Sequence, residues 1–90
     1  MPATTRTRFE EATAAFLDYL ASYRGYSPHT VKAYARDLRA FRDFLGRRHR
    51  RLCSPDQVRR EMVVEFGLSL RGAAPLTVRR KLAAVSSFYV

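Results

Sequence analysis

The stretch SPHTVKAYARDLRAFRDFLGR, residues 27–47, decides how the rest of the chain is read. Val31, Tyr34, Leu38, Phe41 and Leu45 follow one another at steps of three and four residues, the period that lines one face of an α-helix. Ser27 can accept hydrogen bonds from the free N–H groups of a helix start, and Pro28 suits the first helical position, where its missing N–H costs nothing. The spacing predicts a helix from Pro28 to about Arg47. On its other side, at ~100° per residue, Lys32, Arg36, Arg39 and Arg47 fall within an arc of roughly 80°. One helix therefore carries an apolar stripe and, opposite it, a row of cations.

Three further helices are legible around this one. Phe9, Ala12, Phe16, Leu17 and Leu20 keep helical spacing over about 7–24, up to Gly25, whose tolerance of positive φ suits a helix end. Ser54-Pro55-Asp56-Gln57 repeats the Ser-Pro opening, with Gln57 placed for a capping box, and Val58, Met62, Phe66 and Leu70 stripe a helix over about 55–70, ended by Gly72. Pro75-Leu76-Thr77 opens the last helix, striped by Val78, Leu82, Val85 and Tyr89. Residues 1–6 lack an apolar period and read as a disordered tail, leaving 7–90 as one domain. The basic run from Arg47 to Arg51 reads as a loop. The fold class is all-α, a compact bundle of four helices joined by short loops that force neighbours to pack. Phe9, Phe16, Leu20, Tyr34, Leu38, Phe41, Phe66, Leu82 and Tyr89 are the expected core, so the aromatics are packing residues and not a base-stacking platform.

The charge is strongly positive, +9 over 90 residues, and unevenly placed. Residues 1–27 balance Arg6, Arg8 and Arg24 against Glu10, Glu11 and Asp18, and residues 52–75 balance Arg59, Arg60 and Arg71 against Asp56, Glu61 and Glu65. Residues 28–51 set Lys32, Arg36, Arg39, Arg42, Arg47, Arg48, Arg50 and Arg51 against Asp37 and Asp43, net +6. Residues 76–90 hold Arg79, Arg80 and Lys81 and no acid, net +3. The whole excess sits on the second helix with its following loop and on the fourth. A field so confined attracts polyanions. On the fourth helix the face opposite the stripe is expected to hold Leu76, Arg80, Ala83 and Ser87, with Arg79 to one side and Lys81 to the other. Small residues beside an arginine permit close approach to a surface. His29, Thr30 and Thr77 stand at helix starts, where free N–H groups and the helix dipole favour phosphate; Thr30 and Thr77 equally serve as ordinary helix-start residues.

Other chemistries find little footing. His29, His49 and Cys53 lack metal-ligand spacing. The four glycines stand singly and form no phosphate-cradling loop. No nucleophile–base constellation assembles, so neither catalysis, a cofactor, a metal nor a small-molecule substrate is expected of this chain. Cys53 cannot form an internal disulfide and reads as a small buried apolar residue. With neither a signal peptide nor an apolar span visible, the expected setting is cytoplasmic, without a membrane.

The string Tyr26-Ser27-Pro28-His29-Thr30-Val31-Lys32-Ala33-Tyr34-Ala35-Arg36-Asp37-Leu38 closely resembles the S-P-x-T-x-x-x-Y-x-x-D-L opening of the second helix in tyrosine recombinases and phage integrases of the Xer (XerC/XerD) kind. Phe16-Leu17-Asp18-Tyr19-Leu20 resembles their first helix, F-L-x-Y-L. Thr77 to Tyr89 resembles their fourth, R-x-L-S-A-L-R-S-F-[FY]. The three segments stand in the family's order and cover nearly the whole chain. The resemblance implies a SAM-like core-binding domain, one half of a C-shaped clamp that lays its second and fourth helices across the major groove of duplex DNA. In that family a C-terminal domain cleaves the strand with a tyrosine assisted by arginines and histidine, and recombinase subunits assemble on the DNA. Those catalytic motifs have no counterpart here, so the chain reads as the DNA-binding part of a longer recombinase. Carried over by position, Thr30, Lys32 and Arg36 face DNA on the second helix and Thr77 and Arg80 on the fourth, with Arg79 and Lys81 flanking; Arg39 joins them from the charge pattern. Composition alone leaves a second reading standing, a small helical protein-interaction module whose basic face binds an acidic partner. A membrane-surface binder fits less well, because the cationic and apolar residues occupy opposite faces of packed helices.

Overall fold

The structure is a computed structural model that describes residues 5–49 and 55–89. Four α-helices, α1 Thr5–Ser22, α2 Pro28–Arg48, α3 Arg60–Ser69 and α4 Pro75–Phe88, and a 3-10 turn at Pro55–Gln57 make up the regular structure among these residues, with no strand. α1 opens at Thr5, inside the segment expected to be a tail; residues 1–4 lie outside the described residues, as do Arg50, Arg51 and Cys53.

α2 starts as its sequence requires. The Ser27 Oγ accepts from the Thr30 N–H at 3.2 Å, with Pro28 directly behind the cap. Its last turn holds Arg47 and Arg48, cations well placed against the negative end of the helix dipole. α1 ends where Gly25 takes φ +67°, letting the Tyr26 N–H turn back to the Leu20 carbonyl at 3.0 Å. Gly72, at φ +100°, makes the corresponding reversal before α4.

α2 is the central helix. It buries Asp37, Leu38, Phe41, Phe44 and Leu45, with α1 and α4 packed along it and α3 closing the far end. Phe9, Leu38, Phe41, Phe44, Leu45, Phe66 and Val85 form the buried cluster, and Phe16, Val58, Met62, Leu82 and Phe88 pack against it half-buried. The Phe41 ring meets Phe66 edge-on at 5.1 Å, and Phe44 lies 5.5 Å from Phe66. Leu20 is buried as expected; Phe16 and Leu82 are only partly so. Phe44, outside the expected stripe, is core.

Two expectations need correction. The third helix begins at Arg60, five residues after Pro55, and its N-cap, Arg59, makes no side-chain capping bond. Pro55–Gln57 instead form the 3-10 turn, closed by the Val58 N–H on the Pro55 carbonyl at 3.2 Å. The turn wins because it drops Val58 against the core cluster and offers the Pro55 carbonyl to the Tyr89 hydroxyl at 3.0 Å. Gln57 therefore ends a turn and opens no capping box. The second correction is the roll of α4. Its covered residues are Thr77, Val78, Lys81, Leu82, Ala84, Val85 and Phe88, while Tyr89 is 38 % exposed. Projected at ~100° per residue, that face is turned by roughly 70° from the expected stripe. Phe88, which meets Phe16 edge-on at 5.5 Å, takes the inward place expected of Tyr89.

Candidate nucleic-acid interface

The rolled α4 follows from one residue on α2. Asp37 is 1 % exposed, the buried charged residue of the core. At ~100° per residue it stands about 80° from the centre of the α2 stripe, on the side of Ala33, Ala40 and Phe44. Small side chains there let α4 approach. A buried carboxylate needs cations and donors around it, and α4 supplies them. The Arg80 Nε donates to Asp37 Oδ2 at 3.1 Å, the Arg80 Nη2 to Oδ1 at 3.2 Å, and the Lys81 Nζ to Oδ1 at 3.2 Å. The Lys81 side chain is 16 % exposed and that of Arg80 is 50 % exposed.

The nine expected contact residues therefore divide. His29, Lys32, Arg36 and Arg39 are exposed on the outer face of α2, where Arg47 joins them. Neither these cations nor Arg79 pairs with an acid among the described residues. Arg79 is exposed and lies about 160° from the centre of the covered α4 face, so it is the outward cation of that helix. Arg80, expected at the middle of the outer face, stands at its edge, and Lys81 is turned inward. Thr30 and Thr77 are half-buried. The Thr30 hydroxyl lies 3.0 Å from the Ser27 Oγ and belongs to the cap of α2.

The remaining cations of α2 are held by acids. Arg42 Nη1 donates to Glu10 of α1 at 3.1 Å, and its Nε and Nη2 reach Asp43 at 3.3 and 3.2 Å. Asp43 lies within the basic arc, and Arg42 neutralises it there. Arg48 Nε donates to Glu65 Oε2 of α3 at 3.1 Å. That bond holds the Glu65 carboxyl below its ordinary pKa, partly opposed by desolvation and assisted by His49 at 3.4 Å.

Sequence reasoning missed Asp37 as a structural centre. Its signal was present: an acid flanked by Ala33 and Ala40 on one side of a helix, in a chain whose last segment has cations and no acid. Among the described residues no group of His, Cys, Asp and Glu is arranged to hold a metal ion, and no helix is long and apolar enough to cross a membrane.

Fold and site together define a small all-helical module with one face of α2 carrying cations that pair with no acid among the described residues, and a further exposed cation, Arg79, on α4. Residues 13–90 match the family described as phage integrase, N-terminal SAM-like domain, and the chain belongs to that family. It is 38 % identical over 78 residues to the tyrosine recombinase XerD of Bradyrhizobium diazoefficiens, covering 86 % of this chain and 24 % of that protein. It is 41 % identical over 81 residues to the tyrosine recombinase XerC of Roseiflexus castenholzii, covering 88 % and 25 %. To the XerC of Chlamydia caviae it is 30 % identical over 92 residues, covering 82 % and 30 %. The chain thus spans about a quarter of the length of these relatives. No solved structure matches it.

Proposed function

We propose that this chain is the duplex-DNA-binding module of a site-specific tyrosine recombinase. It holds the recombination site with α2 and α4 and leaves strand cleavage to a catalytic domain of the full-length protein, where other recombinase subunits are its partners. The observation that carries this reading is the row Lys32, Arg36, Arg39 and Arg47, exposed on one face of the central helix without acid partners among the described residues. Arg42 and Arg48 are each answered by an acid and add no net charge to that field; these cations do. Most of the contacts are to phosphates, which position the module without reading sequence.

Salt-dependent fluorescence anisotropy on a labelled duplex tests the proposal. Neutralising roughly four to six phosphates gives a slope of log K against log salt of about −4 to −5. Arg36→Ala flattens that slope by about one unit. Arg59→Ala, on the charge-balanced third segment, leaves it unchanged. Equal losses from both variants would make binding a diffuse property of net charge and end the assignment to this face. Supercoiled plasmid incubated with the chain stays supercoiled; relaxation that follows the protein through purification would overturn the division of labour.

A further inference from the structure

The geometry around Asp37 points beyond a helix-to-helix tie. Arg80 gives Asp37 one edge of its guanidinium, the edge made by Nε and Nη2. Its Nη1 has no acceptor among the described residues, and half the side chain is exposed. An arginine held along one edge keeps the N–H groups of the other in a fixed plane, and that fork matches a phosphate. Lys81 completes the arrangement. Being nearly buried and bonded to the same carboxylate, it answers the negative charge of Asp37. The trio keeps one net positive charge, and Arg80 is the member that carries it to the surface.

We infer that Asp37 is a positioning residue of the DNA interface, holding the Arg80 guanidinium by one edge so that the opposite edge meets a backbone phosphate. The inference rests on the DNA-binding reading above. It gives Asp37 a function opposite in sign to its charge: an acid beside a DNA-binding face that strengthens binding. Flexible arginines lose rotamer freedom when they bind, and an arginine already immobilised by a carboxylate has lost it beforehand.

Duplex anisotropy with two variants tests this, each first melted by circular dichroism. Asp37→Asn removes a negative charge near the face, so electrostatics alone makes it bind more tightly. Positioning makes it bind about three- to ten-fold more weakly, with a slope shallower by about one unit despite the added net charge. Because Asp37→Asn leaves the largely covered Lys81 without its carboxylate and can unfold, Arg80→Lys provides an independent measurement. Lysine keeps the charge and can reach Asp37, but has no second edge to present. Arg80→Lys is expected to melt near the wild type and to lose as much affinity as Arg80→Ala, within a factor of about two. Wild-type affinity in Arg80→Lys, or tighter binding by a folded Asp37→Asn, overturns the inference. Arg36→Ala and Arg79→Ala separate the two layers. If they lose affinity while Arg80→Lys does not, positioning fails and the DNA-binding face stands; if they bind as the wild type, the face itself fails.

Discussion

Arg79 and Lys81 lie two positions apart on α4 and carry the same charge, yet the structure assigns them opposite consequences on removal. Lys81→Ala takes from the buried Asp37 carboxylate one of the three bonds that hold it and leaves the two from Arg80. A hydrogen bond to a charged group contributes about 1.5–3 kcal/mol. In a domain of this size about 2 kcal/mol lowers Tm by on the order of 10 °C. Arg79→Ala touches an exposed side chain without an acid partner among the described residues and should change stability by less than about 0.5 kcal/mol. For DNA the order reverses. Loss of one phosphate contact flattens the salt slope by about 0.9 and weakens binding roughly five- to ten-fold at 0.1 M salt. Arg79→Ala should show that loss, while Lys81→Ala, measured well below its melting point, should keep the wild-type slope. Thermal circular dichroism and salt-dependent anisotropy on the same samples read both quantities. A Lys81→Ala variant that melts with the wild type and loses a unit of slope would refute the roll of α4, returning Lys81 to the surface.

Phe41 is 1 % exposed and packs edge-on against Phe66 and Tyr89, so Phe41→Ala should cost about 3–5 kcal/mol in urea unfolding; a loss under about 1 kcal/mol would mean α2 presents another face to the core. Ser27→Ala removes the oxygen that receives the Thr30 N–H and should cost about 1 kcal/mol in the same assay. Burial pushes the Tyr89 hydroxyl pKa up, and the Asp56 carboxylate adds to the shift. An unfolded tyrosine ionises near pH 10 while the folded Tyr89 keeps its proton, so its contribution to stability is full below about pH 10 and is lost as pH rises beyond it. Urea midpoints between pH 8 and 11 should decline less in Tyr89→Phe than in the wild type.

The elements whose ends are set by local chemistry were legible in the sequence. Ser27-Pro28 marked the start of α2 because a capping oxygen and a fixed φ act within a few residues, and Gly25 marked the turn after α1 because positive φ is a property of one residue. The onset of α3 was not legible for the opposite reason. Ser54-Pro55-Asp56-Gln57 has the local signature of a helix start, but the gain that decides its geometry comes from Val58 against the core and from Tyr89, thirty-four residues away. The phase of α4 was misread for a related reason. Tyr89 and Phe88 are equally good apolar candidates, and a lysine reads as outward unless a buried partner exists. That partner, Asp37, sits in another helix, and its burial is a property of the assembled pair.

The cations of this chain form two populations, and α2 belongs to both. Each other helix is tied to α2 by an ion pair: α1 through Glu10 and Arg42, α3 through Glu65 and Arg48, α4 through Asp37 with Arg80 and Lys81. The Glu10 and Glu65 side chains are 51 % and 33 % exposed, and pairs so placed contribute little to stability. Their consequence is electrostatic bookkeeping on the surface: they remove Arg42 and Arg48 from the attractive field and leave it to the opposite face. The Asp37 cluster differs because it is buried, where an unanswered charge is costly and an answered one fixes a single register between two helices. The register it fixes is that of α4 on α2, the two helices that carry most of the charge excess. A slip of α4 by one position would move Arg80 and Lys81 off the Asp37 oxygens they now bond. The acid in the motif thus sets which cation of α4 faces outward, and the same contact that closes the core orients the surface.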